Sequence, residues 1–204
     1  RLDGLLDAGA TSATRFRAYA DARLATGFQS LYDSDVRMWW FALLGNLTGD
    51  ATYCTKAVAG IDWFVTGEEQ RIAAYVSGQP GTGPRVGYDS YLEVGPLVGD
   101  VMMVYDWCFA SVSANQRTRW LAYADQAVWN VWHPDGATWA GKPADWSGWS
   151  IDNPSNNYYY SFLRATMLLG LGAEGELASA AGWKAFFRTT KIQQQLVPTF
   201  ESDL

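Results

Sequence analysis

The stretch LLGNLTGDATYCTKA, at residues 43–57, joins the end of one helix to the start of the next. Its apolar first half stops at Gly49, a residue type that readily takes the left-handed conformation with which many helices end. Asp50 follows at once, and an aspartate side chain can accept a hydrogen bond from the first free amides of a new helix. The stretch therefore predicts a helical hairpin.

Outward from this turn, apolar residues recur at helical spacing over most of the 204 residues, and alternating β-branched runs are scarce. The helices predicted from the spacing, caps and breakers run from Ser12 to Gly27, from Asp33 or Ser34 to the 45–49 region, from the Asp50 cap onward, from Tyr91 or Glu93 through Phe109, from Ser113 through Val131, from a Ser155 cap to Gly170, and from Ala180 to about Gln195. We therefore predict one all-α domain over residues 1–204, in which helical hairpins stack into a solenoid or ring.

Two segments interrupt the helical pattern. The first, QPGTGP at residues 79–84, is a loop by composition. The second runs from His133 to Pro154 and contains three tryptophans. A loop of roughly 20 residues in a compact domain is more often functional than idle, so the second segment is a candidate site.

Charge and composition narrow the classes of partner. The formal charge of −6 disfavours nonspecific binding to nucleic acid or to anionic membranes. No apolar run approaches the ~20 residues of a membrane span, so we expect a protein that does not enter the membrane. Cys54 and Cys108 lack metal-ligand spacing and are expected to be buried free thiols, while the single His133 cannot form a histidine-based metal site. Neither a metal nor another cofactor is expected.

Three further segments match a known pattern in their order along the chain. The 43–57 hairpin is followed by VYDWCFA at 104–110 with SANQR at 113–117, and then by NPSNNY at 153–158 before a small-residue apolar helix. Together they resemble the heparinase II/III-like and alginate lyase-like polysaccharide lyases over roughly residues 30–175. The resemblance implies an (α/α) toroid that cleaves an acidic, uronate-containing polysaccharide by β-elimination, in a secreted or periplasmic enzyme. It also implies a β-sandwich domain after the toroid, and so a longer enzyme.

The resemblance also implies a catalytic segment. In that family the loop before the helix usually delivers an Asn-Asn-His sequence, in which Asn binds the uronate carboxylate and His assists proton transfer. Asn156 and Asn157 match it, whereas Tyr158 stands at the position of the His. Asn157, Tyr158 and Tyr160 are therefore the catalytic candidates, and Asn156 is a candidate for substrate binding.

Helical spacing adds a physical reason for this assignment. Asn157, Tyr160 and Arg164 fall at i, i+3 and i+7, so they form one polar stripe. Arg164 can bind the carboxylate or lower the pKa of a nearby tyrosine. The alternative interpretation is that the asparagines satisfy backbone groups at the helix start and the tyrosines pack between helices.

The remaining substrate-binding candidates all come before this stripe in the sequence. Arg85 is the second cation expected beside an anionic substrate, and Tyr88 is expected to line the same opening. Asp89 or Ser90 could equally cap a helix there. The three loop tryptophans could stack on sugar rings or could fasten the loop to the body of the domain; they are Trp139, Trp146 and Trp149.

Two other functions fit the same residues. A glycoside hydrolase would need two carboxylates on either side of the scissile bond, and the candidates are Asp89, Glu93, Asp145 and Asp152. A noncatalytic glycan-binding domain would use the aromatic residues without a base.

Overall fold

A computed structural model describes residues 11–28, 37–86 and 91–202, together with Gly4 and Gly9. The expected helix start at Asp33 or Ser34 lies outside the described residues, as do Tyr88, Asp89 and Ser90. Within the described ranges the protein is all-α apart from one small β-hairpin, as the periodicity predicts.

The α-helices are α1 (Thr11–Asp21), α2 (Met38–Thr48), α3 (Ala51–Val76), α4 (Val94–Trp107), α5 (Ala114–Trp132), α6 (Asn157–Gly172), α7 (Ala180–Ala185) and α8 (Val197–Ser202). A π-helical stretch, Phe186–Leu196, joins α7 to α8. Single 3-10 turns occupy Tyr91–Glu93, Phe109–Ser111 and Pro134–Gly136. Strands β1 (Thr138–Trp139) and β2 (Lys142–Pro143) pair antiparallel.

The predicted 43–57 hairpin is confirmed in detail. Gly49 ends α2 with φ +71°, in the left-handed region, and its amide donates to the Gly45 carbonyl. The Asp50 carboxylate then caps α3 by accepting from the Thr52 amide at 2.9 Å. Ser113 caps α5 as predicted, and Gln116 completes a reciprocal capping box with it.

Several predicted helix boundaries are wrong. Asn156, not Ser155, caps α6, because its side chain accepts from the Tyr158 amide in the first turn. Asparagine and serine are nearly equal as caps, so composition did not separate them. Helix α1 ends at Asp21 rather than Gly27, and the last helical segment continues past Gln195 to Ser202.

Helix α4 is the centre of the domain, because it packs against α2, α3, α5 and α6. Its aliphatic side chains are fully buried, among them Leu97, Val98 and Val101. Its closest neighbour is α6. A Cβ atom at Gly95 would lie 2.5 Å from the Ser161 carbonyl oxygen, so only glycine permits this approach of the two backbones.

The expectation of free thiols at Cys54 and Cys108 is wrong: the two cysteines form a disulfide with their Cα atoms 5.4 Å apart. The bond links the first turn of α3 to the residue that follows α4. Because the two cysteines are 54 positions apart and have no metal-like spacing, nothing local in the sequence indicates that the two thiols meet.

Replacing both cysteines, Cys54→Ser with Cys108→Ser, should lower the free energy of unfolding by about 2–4 kcal/mol, because the disulfide closes a long loop in the unfolded chain. Urea denaturation of the parent and the double variant measures the difference. Reducing the parent with dithiothreitol should reproduce the shift. Equal midpoints for all three samples would contradict the cross-link.

Candidate functional site

The polar stripe predicted on α6 lies at the surface. Asn157 is exposed, the Tyr160 side chain is 42% exposed, and the Arg164 side chain is 40% exposed. The other faces of the helix are buried in the core, through Tyr159, Phe162, Ala165 and Leu169. The structure therefore leaves an amide, a phenol and a guanidinium in a row on the open face of one helix.

The residues next to this stripe have mainly structural contacts. The Asn156 side chain is committed to capping α6 through its hydrogen bond with the Tyr158 amide, at 2.9 Å. Tyr158 is partly buried and meets the Phe162 ring edge-on, with centroids 6.4 Å apart. The alternative interpretation thus holds for Asn156, whereas Asn157 stays exposed beside it.

Arg164 is held by a buried carboxylate that is not among the predicted site residues. Asp100, on α4, is fully buried and lies 3.9 Å from Nη2 of Arg164 and 3.4 Å from Nη1 of Arg37. A Cβ at Gly99 would come within 3.0 Å of Nε of Arg164, so the glycine leaves room for the guanidinium. The signal in the sequence was an acid set between apolar neighbours, VG before it and VMMV after it.

The surroundings of Asp100 favour its neutral form. Burial raises the pKa of Asp100 to about 7, although Arg37 and then Arg164 act to lower it. Its Oδ2 atom has no hydrogen-bond partner. A carboxyl group in this state titrates in the neutral range, so the net charge around Arg164 changes there.

A second buried acid, Glu68 on α3, positions Arg85. Both carboxylate oxygens accept from the Arg85 amide, at 3.0 and 2.8 Å, and Oε2 also accepts from the Tyr123 hydroxyl at 3.0 Å. Burial raises the pKa of Glu68, and the hydrogen bonds partly offset this. Glu68 therefore fixes the backbone from which the Arg85 side chain extends, and helical spacing alone gave no sign of this role.

Residues 91–95 interact with α6 and influence the pKa of Tyr123. The Ser161 hydroxyl of α6 donates to the Leu92 carbonyl and accepts from the Gly95 amide at 2.9 Å. On the other side, Glu93 is one of the charges that raise the pKa of Tyr123, after burial and Glu68. This short segment is thus bonded to the buried face of α6, and its Glu93 bears electrostatically on Tyr123.

Trp139 fastens the long loop rather than presenting a ring to solvent. It is 3% exposed and stacks on Tyr123 with centroids 6.1 Å apart. Asn130 holds the same hairpin by accepting from the Thr138 amide at 3.0 Å and donating to its carbonyl at 2.7 Å. Of the two interpretations left open for Trp139, the buried ring supports the structural one.

The other two loop tryptophans differ from each other. Trp146 is partly buried, donates from Nε1 to the Val131 carbonyl at 3.1 Å and packs edge-on to Phe162. Trp149 is 61% exposed, so within the described residues it is the predicted loop tryptophan with a ring open to a ligand.

Lys191 binds the end of this loop to the π-helical stretch. Its Nζ is buried above the Trp132 ring at 4.2 Å and donates to the Ile151 carbonyl, Asp152 and Gln195 at 2.9–3.1 Å. Burial lowers the pKa of Lys191, while its bond with Asp152 raises it. The ammonium therefore acts as a fixed anchor for residues 151 and 152.

Among the carboxylates considered for a hydrolase, Asp152 is held by hydrogen bonds from Lys191 and Gln195. Partial burial raises the pKa of Asp152, but hydrogen bonds from Gln195 and Lys191 leave it below its usual value. A general acid needs the opposite shift. Asp145 is exposed and Glu93 partly buried, and Asp89 lies outside the described residues.

Among the residues that the structure describes, no three histidine, cysteine or acidic side chains are grouped as metal ligands. No described helix is long and apolar enough to cross a membrane. Comparison with family models, curated proteins and solved structures finds no match for this chain. Its function is therefore inferred from its own side chains.

Replacing Asp100 with Asn should remove a pH-dependent part of the stability. Because burial raises the pKa of Asp100 from 3.8 to about 7 in the folded protein, its stabilising effect is complete below pH 3.8 and is lost as pH rises through 7. As the pH rises from 4 to 7, the Tm of the parent should therefore fall relative to the Tm of Asp100→Asn. A constant difference across that window would contradict the assignment.

Proposed function

We propose that this chain is part of an (α/α)-toroid polysaccharide lyase that cleaves a uronate-containing glycan by β-elimination. The observation that carries the proposal is the open face of α6, where Asn157, Tyr160 and Arg164 stand in one exposed row. The all-α architecture and the α2–α3 hairpin support it, because a toroid is built from such hairpins.

The reaction needs two functions from the protein. A base removes the proton on the carbon next to the carboxylate, and the electron pair left behind forms a double bond as the bond to the glycosidic oxygen breaks. The protonated base then passes its proton to the departing oxygen. Negative charge grows on the carboxylate during this step, and an amide donor such as Asn157 stabilises it. Arg164 adds positive charge on the same side, held in place by Asp100.

Tyr160 is better placed than Tyr158 to exchange a proton with substrate. Its side chain is 42% exposed and lies one helical turn from Arg164, so it can reach a substrate whose carboxylate pairs with that guanidinium. Tyr158, at the position of the family's histidine, is partly buried against Phe162. We therefore assign proton transfer to Tyr160 and a positioning role to Tyr158.

A secreted or periplasmic location is part of the proposal. Disulfides persist in oxidising compartments, and Cys54 and Cys108 form one here. An enzyme that cleaves a uronate polymer also has to meet its substrate outside the cytoplasm.

The direct test is a screen against alginate, hyaluronan, heparan, chondroitin and glucuronan, with ultraviolet absorbance of the unsaturated product as the signal. We expect one of these polymers to yield that product. Reducing ends without absorbance would instead indicate a hydrolase, and binding without any cleavage would indicate a glycan-binding domain.

Asn157→Ala should lower kcat about 100-fold or more on the best substrate, since removing a comparable donor costs ~3 kcal/mol in the transition state. The Tm should barely change, because Asn157 is exposed at the first position of α6. Asn46→Ala, an exposed asparagine on α2, is the matched control and should keep parental turnover. Parental turnover in Asn157→Ala would remove the stripe from the mechanism.

The two tyrosines are separated by removing each hydroxyl. Tyr160→Phe should abolish product formation while leaving binding intact, because it keeps the ring and loses only the proton-transfer group. Tyr158→Phe should retain most of its activity. The reverse pattern, with Tyr158→Phe inactive and Tyr160→Phe active, would return the base to the position of the family's histidine.

A further inference from the structure

A groove of about 420 Å³ lies along the second half of α3, away from the residues of the α6 stripe. Its lining includes Trp63, Gln70 and Arg71 from α3, together with Glu68 and Arg85. The volume falls within the range of small-ligand sites and suits one sugar residue with its substituents.

Trp63 provides an apolar wall that is open to a ligand. Its side chain is 41% exposed, and a tilted contact with Phe28, centroids 6.1 Å apart, supports the ring. Burying an exposed tryptophan against the C–H face of a pyranose is a favourable use of such a ring. Helical periodicity does not distinguish Trp63 from the other ten tryptophans of the chain.

Arg71 provides the charge. Its side chain is 49% exposed, and within the described ranges its one ion pair is a long contact from Nε to Glu68, at 3.8 Å. Glu68 is already bonded to the Arg85 amide and the Tyr123 hydroxyl. The guanidinium of Arg71 therefore retains donors that can bind a carboxylate in the fork geometry typical of arginine.

The described lining favours an anion. The carboxylate of Glu68 is 1% exposed and already accepts bonds from the Arg85 amide and the Tyr123 hydroxyl, whereas the Arg71 side chain is 49% exposed at the groove. The amide of Gln70 can bond to hydroxyl groups. Aromatic wall, guanidinium and amide together match a sugar acid better than a neutral sugar.

We propose that this groove, formed by Trp63, Gln70, Arg71 and Arg85, is a binding subsite for a uronate residue of an acidic glycan. The subsite shares with the proposed function the premise that the ligand is a uronate polymer. It assigns Trp63 and Arg71 to binding and not to the chemical step.

The test is calorimetric titration with tetrasaccharides of glucuronan and alginate, using cellotetraose as the neutral counterpart of the glucuronan. Tyr160→Phe serves as the background, because it should leave binding intact while no ligand is cleaved. We expect a uronate tetramer to bind, cellotetraose to bind at least tenfold more weakly, Arg71→Gln to weaken uronate binding roughly tenfold or more, and Trp63→Leu roughly fivefold or more.

The matched controls are Arg188→Gln and Trp129→Leu, which change a cation and an exposed tryptophan that do not line this groove. Both should bind within twofold of the background protein, and circular dichroism should show that every variant is folded. Binding of cellotetraose as strong as that of the glucuronan tetramer would overturn the anionic class of ligand. Binding by neither uronate tetramer, or binding unchanged in Arg71→Gln and Trp63→Leu, would overturn the subsite.

Failure of the subsite and failure of the proposed lyase are distinguishable. If no polymer yields unsaturated product but uronate binding depends on Arg71 and Trp63, the lyase proposal fails and the subsite stands. If product forms and both variants keep the parental KM, the subsite fails and the lyase stands. With both proposals correct, the two variants raise KM and leave kcat near the parental value.

Discussion

The close contact between α4 and α6 at Gly95 is the constraint on which the candidate site depends. The Ser161 hydroxyl bridges the Gly95 amide and the Leu92 carbonyl, so it ties residues 91–95 to α6. One turn further along α4, Gly99 leaves room for Arg164, and the next residue is the buried Asp100. A side chain at Gly95 would push the helices apart, and Arg164 would then lose its carboxylate partner.

Three buried ionisable side chains connect the elements around this contact. Asp100 joins α4 to Arg164 of α6, Glu68 joins α3 to the backbone at Arg85, and Lys191 joins the π-helical stretch to residues 151 and 152. Burying a charge carries a desolvation cost that pairing only partly offsets, so such groups add little net stability. Their contribution is to hold neighbouring groups in place, namely the Arg164 side chain, the Arg85 backbone and the Ile151 backbone.

The candidate site was partly predictable. Spacing alone placed Asn157, Tyr160 and Arg164 on one face, and the structure exposes that face. Spacing could not separate the three loop tryptophans, because their burial depends on distant partners such as Tyr123 and Phe162. It also could not find Asp100, Glu68 or Trp63, whose roles arise from side chains that other elements bring to them.

Local interactions explain the features that could be predicted from the amino-acid sequence. The Gly49 and Asp50 turn, the Ser113 capping box and the helical periodicity each involve residues within a few positions of one another, so neighbouring residues are enough to specify them. The Cys54–Cys108 disulfide, the hold of Asp100 on Arg164 and the stacking of Trp139 on Tyr123 join residues far apart in the chain. Such pairs depend on how the helices pack, and packing follows from shape and burial over the whole core, which no local stretch of sequence specifies.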